Sequence, residues 1–306
     1  MSEIFFLVLP VFIVLAVGNL LKRMKIVDDR FIASSNTLIF KVTLPALLFL
    51  SISRSNLRAV FDWRLVVIIF ASVLVVAVLS FITAKILRLS PDITGTFAMN
   101  NFRGNYANMG LPVFFYVFGQ EGLMYASVLM AFIVPYVSMI AIIGLSITSG
   151  DKTKIVPMMR NAVLNPLAIA CMGGLAYSYI GIPMPAFVMK SISIISEVTL
   201  PLALFCVGST ITLESMKNDL FLSSLSSFFK MIVGPAIAFF MLKAWGIEMS
   251  IGAKALVVLL SSPSGTVNYV FAAALGGNTR LTASTIVTTH SFSILTFIMW
   301  IMIIGV

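Results

Sequence analysis

Apolar residues in this chain come in long runs, not in the alternation of a half-buried strand. Leu65 to Thr83 and Ala255 to Thr279 contain no charged side chain. As helices, rising 1.5 Å per residue, such runs are long enough to cross a hydrocarbon core of roughly 30 Å. The same reading along the whole chain predicts ten spans, near 4–22, 31–53, 63–87, 93–118, 122–148, 160–180, 186–210, 220–244, 251–276 and 280–305. The links are short, and the longest polar one runs from Ser149 to Arg160. The pattern therefore predicts an all-α polytopic membrane protein, with residues 1–306 as one transmembrane domain.

The runs also repeat. Val42-Thr43-Leu44-Pro45-Ala46-Leu47-Leu48-Phe49 returns as Val198-Thr199-Leu200-Pro201-Leu202-Ala203-Leu204-Phe205, at an offset of 156. The same offset pairs Pro10 with Pro166, Gly18 with Gly174 and Leu57 with Leu213. At an offset of 157, Gly119 pairs with Gly276, Ala126 with Ala283 and Ser127 with Ser284. Residues 1–150 and 151–306 thus read as two repeats of five spans each. An odd number of spans makes the second repeat enter the membrane in the opposite sense. Inverted repeats of this kind suit alternating access.

Two spans are interrupted. The fourth carries Asn100, Asn101, Arg103, Gly104, Asn105, Asn108, Gly110 and Pro112 inside an apolar segment. The ninth carries Ser261-Ser262-Pro263-Ser264-Gly265-Thr266-Val267-Asn268-Tyr269. Unsatisfied polar groups cost several kcal/mol each in hydrocarbon, so neither segment can face lipid as a continuous helix. Pro112 lacks an N–H, and the glycines ease unwinding. Breaks at corresponding places in two repeats point to a transporter's binding site, where helix ends present free N–H groups to an anion. Candidate substrate-binding residues are Arg103, Asn105, Asn108, Pro112, Pro263, Gly265 and Asn268. The asparagines also have a plainer role in bracing helices against each other, and Arg103 one in capping a half-helix. Lys41 and Glu197 are repeat equivalents, each directly before a Val-Thr-Leu-Pro segment. They read as a charge pair, as a proton- or sodium-linked switch, or as two charges satisfied locally. His290, the one histidine, reads most simply as a packing residue.

Composition agrees with this picture. Of the 306 residues, 60% are hydrophobic and 10% charged, and the mean hydropathy is +1.09. The net charge of +9 does not imply nucleic acid, because the basic residues sit mostly in gaps between apolar runs. With the N-terminus outside, eleven Lys and Arg fall inside (Lys22, Arg23, Lys25, Arg30, Lys85, Arg88, Lys152, Lys154, Arg160, Lys217, Arg280) and five outside (Arg54, Arg58, Arg64, Lys243, Lys254). The excess of cytoplasmic basic residues favours both termini outside. Cys171 and Cys206 lie within apolar runs as packing residues, with no disulfide framework or metal motif. Met1-Ser2-Glu3 lacks a basic n-region, and Lys22 and Arg23 follow the first run, which reads as a true span. No HExxH, GxSxG or P-loop is present, so no enzyme and no cofactor are expected.

Three segments carry a family resemblance. Asn105-Tyr-Ala-Asn-Met-Gly-Leu-Pro112 resembles the N-x-x-x-M-G-[IL]-P segment of the auxin efflux carrier family. Ser262 to Ala272 is similar to that family's L-P-x-G-x-V-P-F-V-F-A, and Met189 to Glu197 to its seventh-span segment. The resemblance implies ten spans, a scaffold part and a moving part, and two broken helices crossing beside the substrate. It implies a plasma-membrane carrier of organic anions, often a homodimer, with Asn105 on the substrate-contacting asparagine and Pro112 on the first crossover proline. Asn268 stands where plant members have a second crossover proline. The compact relatives look like carriers of malonate, malate or similar acids. The expected function is elevator-like transport of a small organic anion, with H+ or Na+ as an open choice of coupling ion. A sodium-coupled symporter resembling the bile-acid carriers, or a membrane sensor without flux, are the alternatives.

Overall fold

The computed structural model describes residues 2–55, 60–149, 155–210 and 219–305. The described residues are almost wholly helical, and an isolated two-residue bridge is the extent of β-pairing among them. In chain order the helices are α1 (Ser2–Arg23), α2 (Asp29–Leu38), α3 (Leu44–Ser53), α4 (Trp63–Ile86), α5 (Pro91–Phe102) and α6 (Leu111–Ser149). Then come α7 (Ile155–Val163), α8 (Pro166–Ile180), α9 (Ala186–Glu197), α10 (Thr199–Thr210), α11 (Leu220–Phe228), α12 (Gly234–Ala244), α13 (Ile251–Leu260), α14 (Asn268–Leu275) and α15 (Thr279–Ile304).

Starts are set by side-chain caps. Asp28, Asp62, Asn165, Ser250 and Asn278 each accept a hydrogen bond from a backbone N–H in the helix that follows, satisfying a donor that has no intrahelical acceptor. Among the described residues, three π-helical turns interrupt the spans, Ile39–Thr43, Tyr106–Gly110 and Phe229–Val233. Each ends two residues before a proline: Pro45, Pro112 and Pro235. A proline ring clashes with the carbonyl one turn earlier and offers that carbonyl no N–H. Widening the preceding turn relieves both defects without ending the helix.

Among the described residues, seven helical stretches are long and apolar enough to cross a membrane: Ile4–Arg23, Asp29–Ser53, Trp63–Ile86, Tyr106–Thr148, Ala186–Thr210, Leu220–Ala244 and Thr279–Ile304. An eighth is reached if Ile155–Ala162 and Pro166–Ile180, which meet at 41°, form one bent span. The stretches expected near 93–118 and 251–276 are not continuous helices. Tyr106–Thr148 holds the end of the first of these, and turns at Gly119 (φ +65°) into the fifth expected span.

The most extensive helix contacts pair α1 with α10 and α3 with α8. Both depend on glycine. A Cβ on Gly18 would lie 2.2 Å from the Phe205 carbonyl oxygen, and one on Gly174 would lie 3.1 Å from that of Phe49. Small residues let helix backbones approach where no hydrophobic effect drives them together. Leu57, Leu213, Arg58, Lys152, Lys154 and Lys217, which entered the repeat and orientation readings, lie outside the described residues.

Candidate functional site

The two interruptions meet. Gly104 and Ser264 form the isolated antiparallel bridge. Asn105 N donates to the Pro263 carbonyl at 2.7 Å, and Gly265 N donates to the Arg103 carbonyl at 3.0 Å. The unwound backbones of the two breaks therefore satisfy each other, as buried N–H and C=O groups must. At Gly265 a Cβ would come within 3.1 Å of the Gly104 carbonyl oxygen, so the strands need a residue without one.

Side chains brace the crossing. Asn268, fully buried, has Nδ2 within hydrogen-bond distance of three acceptors that share its two N–H donors, Asn100 Oδ1 (3.2 Å), the Arg103 carbonyl (3.0 Å) and Ser264 Oγ (3.0 Å). Its Oδ1 accepts from Arg103 Nη1 at 2.6 Å. Thr289 Oγ1 accepts from Ser264 N at 3.1 Å. His290 Nδ1 lies 2.7 Å from the Ile286 carbonyl, which can only accept, so Nδ1 carries the proton. Nε2 is then the acceptor for Asn105 Nδ2 at 3.1 Å.

Arg103 is the electrostatic feature. It is 9% exposed, its guanidinium carbon stands 4.3 Å from the Phe271 ring centroid, and its Nε has no partner. Among the described residues no carboxylate pairs with it. The helical turn beginning at Tyr106 and helix α14 beginning at Asn268 both start here. Both N-termini carry partial positive charge, and the Asn268 and Tyr269 N–H groups of α14 donate to the Gly265 and Thr266 carbonyls of the break.

A cavity of about 290 Å³ opens beside this point. Arg103, Asn105, Asn108, Gly265 and Thr266 line one wall, Asn36 and Leu44 another, with Val134, Val137, Leu167 and Val270 as apolar lining. A guanidinium and the amides of Asn105 and Asn108 at the wall of a mostly apolar pocket can hold a small anion by charge-assisted hydrogen bonds.

Of the residues expected to form the site, Arg103, Asn105, Asn108 and Gly265 share this cavity. Pro263 and Asn268 lie in the crossing behind it, where Asn268 holds Arg103. Pro112 lies in the first turn of α6, just past the π-helical turn, and does not line the cavity. Lys41 and Glu197 are both exposed, and no ion pair joins them. Equivalent positions on two spans facing outward do not meet within one chain. Glu197 accepts from Ser193 Oγ at 3.2 Å and borders a second cavity of about 450 Å³, with Arg54, Tyr116 and Gln120. This cavity touches α3 from Leu47 to Arg54, whereas the first touches that span from Asn36 to Leu44. The sequence reading gave Asn100, Ser264, Thr289 and His290 no place among the site residues, and took His290 for a packing residue. The signal for the last two was present: α15 buries Thr282, Ser284, Thr285, Thr288, Thr289, His290 and Ser293, too much polarity for a span that only packs.

Comparison with known proteins adds an independent line. The profile of a family described as membrane transport protein matches residues 3–301. An uncharacterised transporter of Methanocaldococcus jannaschii is 27% identical over 312 residues, covering 96% of this chain and 96% of that protein. A protein of Rhizobium meliloti, named as a candidate malonate transporter, is 24% identical over 303 residues, covering 97% of this chain and 94% of its own. An uncharacterised transporter of Methanothermobacter thermautotrophicus is 22% identical over 232 residues, 76% of each chain.

Proposed function

Because the chain belongs to the membrane transport protein family, the auxin efflux carriers, we propose that it is a secondary transporter of small organic anions, with malonate-like dicarboxylates as the first substrate class. The observation that carries this reading is the Arg103 guanidinium. It lines the cavity and is buried without a carboxylate partner among the described residues. A buried unpaired cation is costly, and an anionic substrate supplies the missing partner. The name of the Rhizobium meliloti relative favours malonate among such anions.

The mechanism we propose is alternating access between two inverted five-span repeats, ten spans in all, with the broken pair counted as spans four and nine. Repeat-related contacts support it. Gly18 against Phe205 and Gly174 against Phe49 are the same contact shifted by 156 in both partners. Two cavities touching opposite ends of the second span support it as well. In an elevator-like step the crossing carries the bound anion past this span, from one cavity's side to the other's.

The reading extends to a plasma-membrane protein with both termini outside, working as a homodimer. Lys41 is exposed midway along its span, where lipid is a poor neighbour for charge and a second subunit a better one. The direct test is equilibrium binding. Malonate should raise the melting temperature of the purified protein saturably, since it binds the folded state alone. A melting temperature indifferent to malonate, malate and indole-3-acetate alike contradicts the carboxylate site.

A further inference from the structure

Buried charge at the crossing is all of one sign. Among the described residues the buried Lys, Arg, Asp and Glu side chains are Arg103 and Lys230, and Lys230 Nζ donates to the Leu260 carbonyl at 2.6 Å. Guanidinium and ammonium groups donate and never accept. Any acceptor offered to a ligand in the cavity must therefore come from a neutral group. Asn36 and Asn108 line the cavity with no side-chain partner among the described residues, so their amides can turn either way.

Asn105 has no such freedom. His290 is 4% exposed, and a neutral imidazole has one N–H to give. That proton sits on Nδ1, 2.7 Å from the Ile286 carbonyl one turn back in α15. Nε2 is left as an acceptor, so the Asn105 atom facing it at 3.1 Å is the donor Nδ2. The reverse setting would place two acceptors, Nε2 and Oδ1, against each other. A carboxamide is planar, so an Nδ2 held by His290 turns Oδ1 away from that ring. Nothing among the described residues donates to Oδ1, and it is not one of the enclosed polar atoms left without a partner. It opens on the cavity that Asn105 lines. Both ends of this arrangement are anchored. The Asn105 N–H is fixed on the Pro263 carbonyl, and Thr289, next to His290, accepts from Ser264 N at 3.1 Å. Histidine, asparagine and the two breaks are thus tied into one unit.

A carbonyl oxygen held toward a ligand repels a second carboxylate and rewards a proton donor. We propose that His290 is a positioning residue for Asn105, and that the site selects an anion carrying a hydrogen-bond donor besides its carboxylate, either a hydroxyl or an un-ionised second carboxyl. The inference deepens the transport reading and rests on it for the carboxylate beside Arg103. Malonate then binds as its half-protonated ion.

The test titrates two pairs of acids, each pair matched in charge at mildly alkaline pH, against the melting temperature of the purified protein. Malonate monoamide carries N–H donors where monomethyl malonate carries an ester methyl, and L-malate adds a hydroxyl to succinate. The donor lies on the smaller acid of the first pair and the larger acid of the second, so size cannot mimic it in both. In wild-type protein the donor-bearing acid should bind about tenfold or more tightly in at least one pair, as an unanswered buried acceptor implies. A preference in the first pair assigns the donor to the end group, and one in the second assigns it to a hydroxyl. His290→Leu frees the amide to turn, and the two members of that pair should then bind alike. His290→Gln, whose side-chain oxygen can still accept from Asn105 Nδ2, should keep the preference. Wild-type protein that binds acids with no preference in either pair overturns the proposal. So does a His290→Leu protein that binds both members more weakly with the preference intact, the result of a histidine that only packs. Silence toward all four acids overturns the carboxylate reading and the proposal with it, and is distinct from binding without preference. The wild-type comparison stands even if a variant fails to fold.

Discussion

What each residue at the crossing contributes follows from what its removal leaves unpaired. Arg103 is held by Asn268 Oδ1 and the Phe271 ring, so Arg103→Gln removes the charge and leaves Asn268 one donor short. A hydrogen bond to a charged group contributes about 1.5–3 kcal/mol, so malonate binding should weaken by roughly 10- to 100-fold. Titration by melting temperature checks this, and unchanged affinity would take Arg103 out of the site. Asn105→Ala leaves the backbone bond to Pro263 in place and removes one amide from the cavity and one donor from His290 Nε2. Uptake should fall sharply while the protein stays folded, and wild-type rates in a folded Asn105→Ala protein would refute its role. Both residues were legible in the sequence, because an arginine and asparagines in an apolar run have few structural explanations. Lys230 was not, since one polar residue in a span carries no record of what it faces, and the polarity around His290 marks its span without naming its partner. Only the fold brings Lys230 to Leu260, thirty positions away, and His290 to Asn105, 185 positions away.

Elements here are shaped by prolines and glycines more than by helix propensity. The three π-helical turns stand at one fixed distance before a proline, a regularity visible in the sequence only once the cause is known. The glycines that matter lie where backbones touch. On Gly18 an added methyl would stand 2.2 Å from the Phe205 carbonyl oxygen, whereas on Gly173 it would meet nothing nearer than 3.7 Å. Gly18→Ala should therefore destabilise by about 1–3 kcal/mol through overpacking, and Gly173→Ala should leave the melting temperature nearly unchanged. Equal effects at the two positions would mean that the packing of α1 on α10 does not set stability. The offset of 156 identified Gly18 and Gly174 as equivalents from the sequence. That each seats on the carbonyl of the other repeat's Phe49 or Phe205 equivalent needed the packed helices. The loss of continuity in the fourth and ninth expected spans was legible from their polar residues, glycines and prolines and not from hydropathy, because apolar content persists where helix does not.

At the scale of the whole molecule, positive and negative helix ends are sorted to different sides of one crossing. The N-terminal ends and Arg103 border a cavity, while carbonyls of the C-terminal ends accept from Lys230, Tyr106 and serine hydroxyls. Such an arrangement attracts an anion. The most direct test is uptake of radiolabelled malonate, malate and indole-3-acetate into proteoliposomes, with membrane potential, proton and sodium gradients imposed separately. The account predicts saturable uptake of a carboxylate that is strongly reduced by Arg103→Gln. No flux of any acid under any gradient, or a non-saturating flux unaffected by Arg103→Gln, would contradict it.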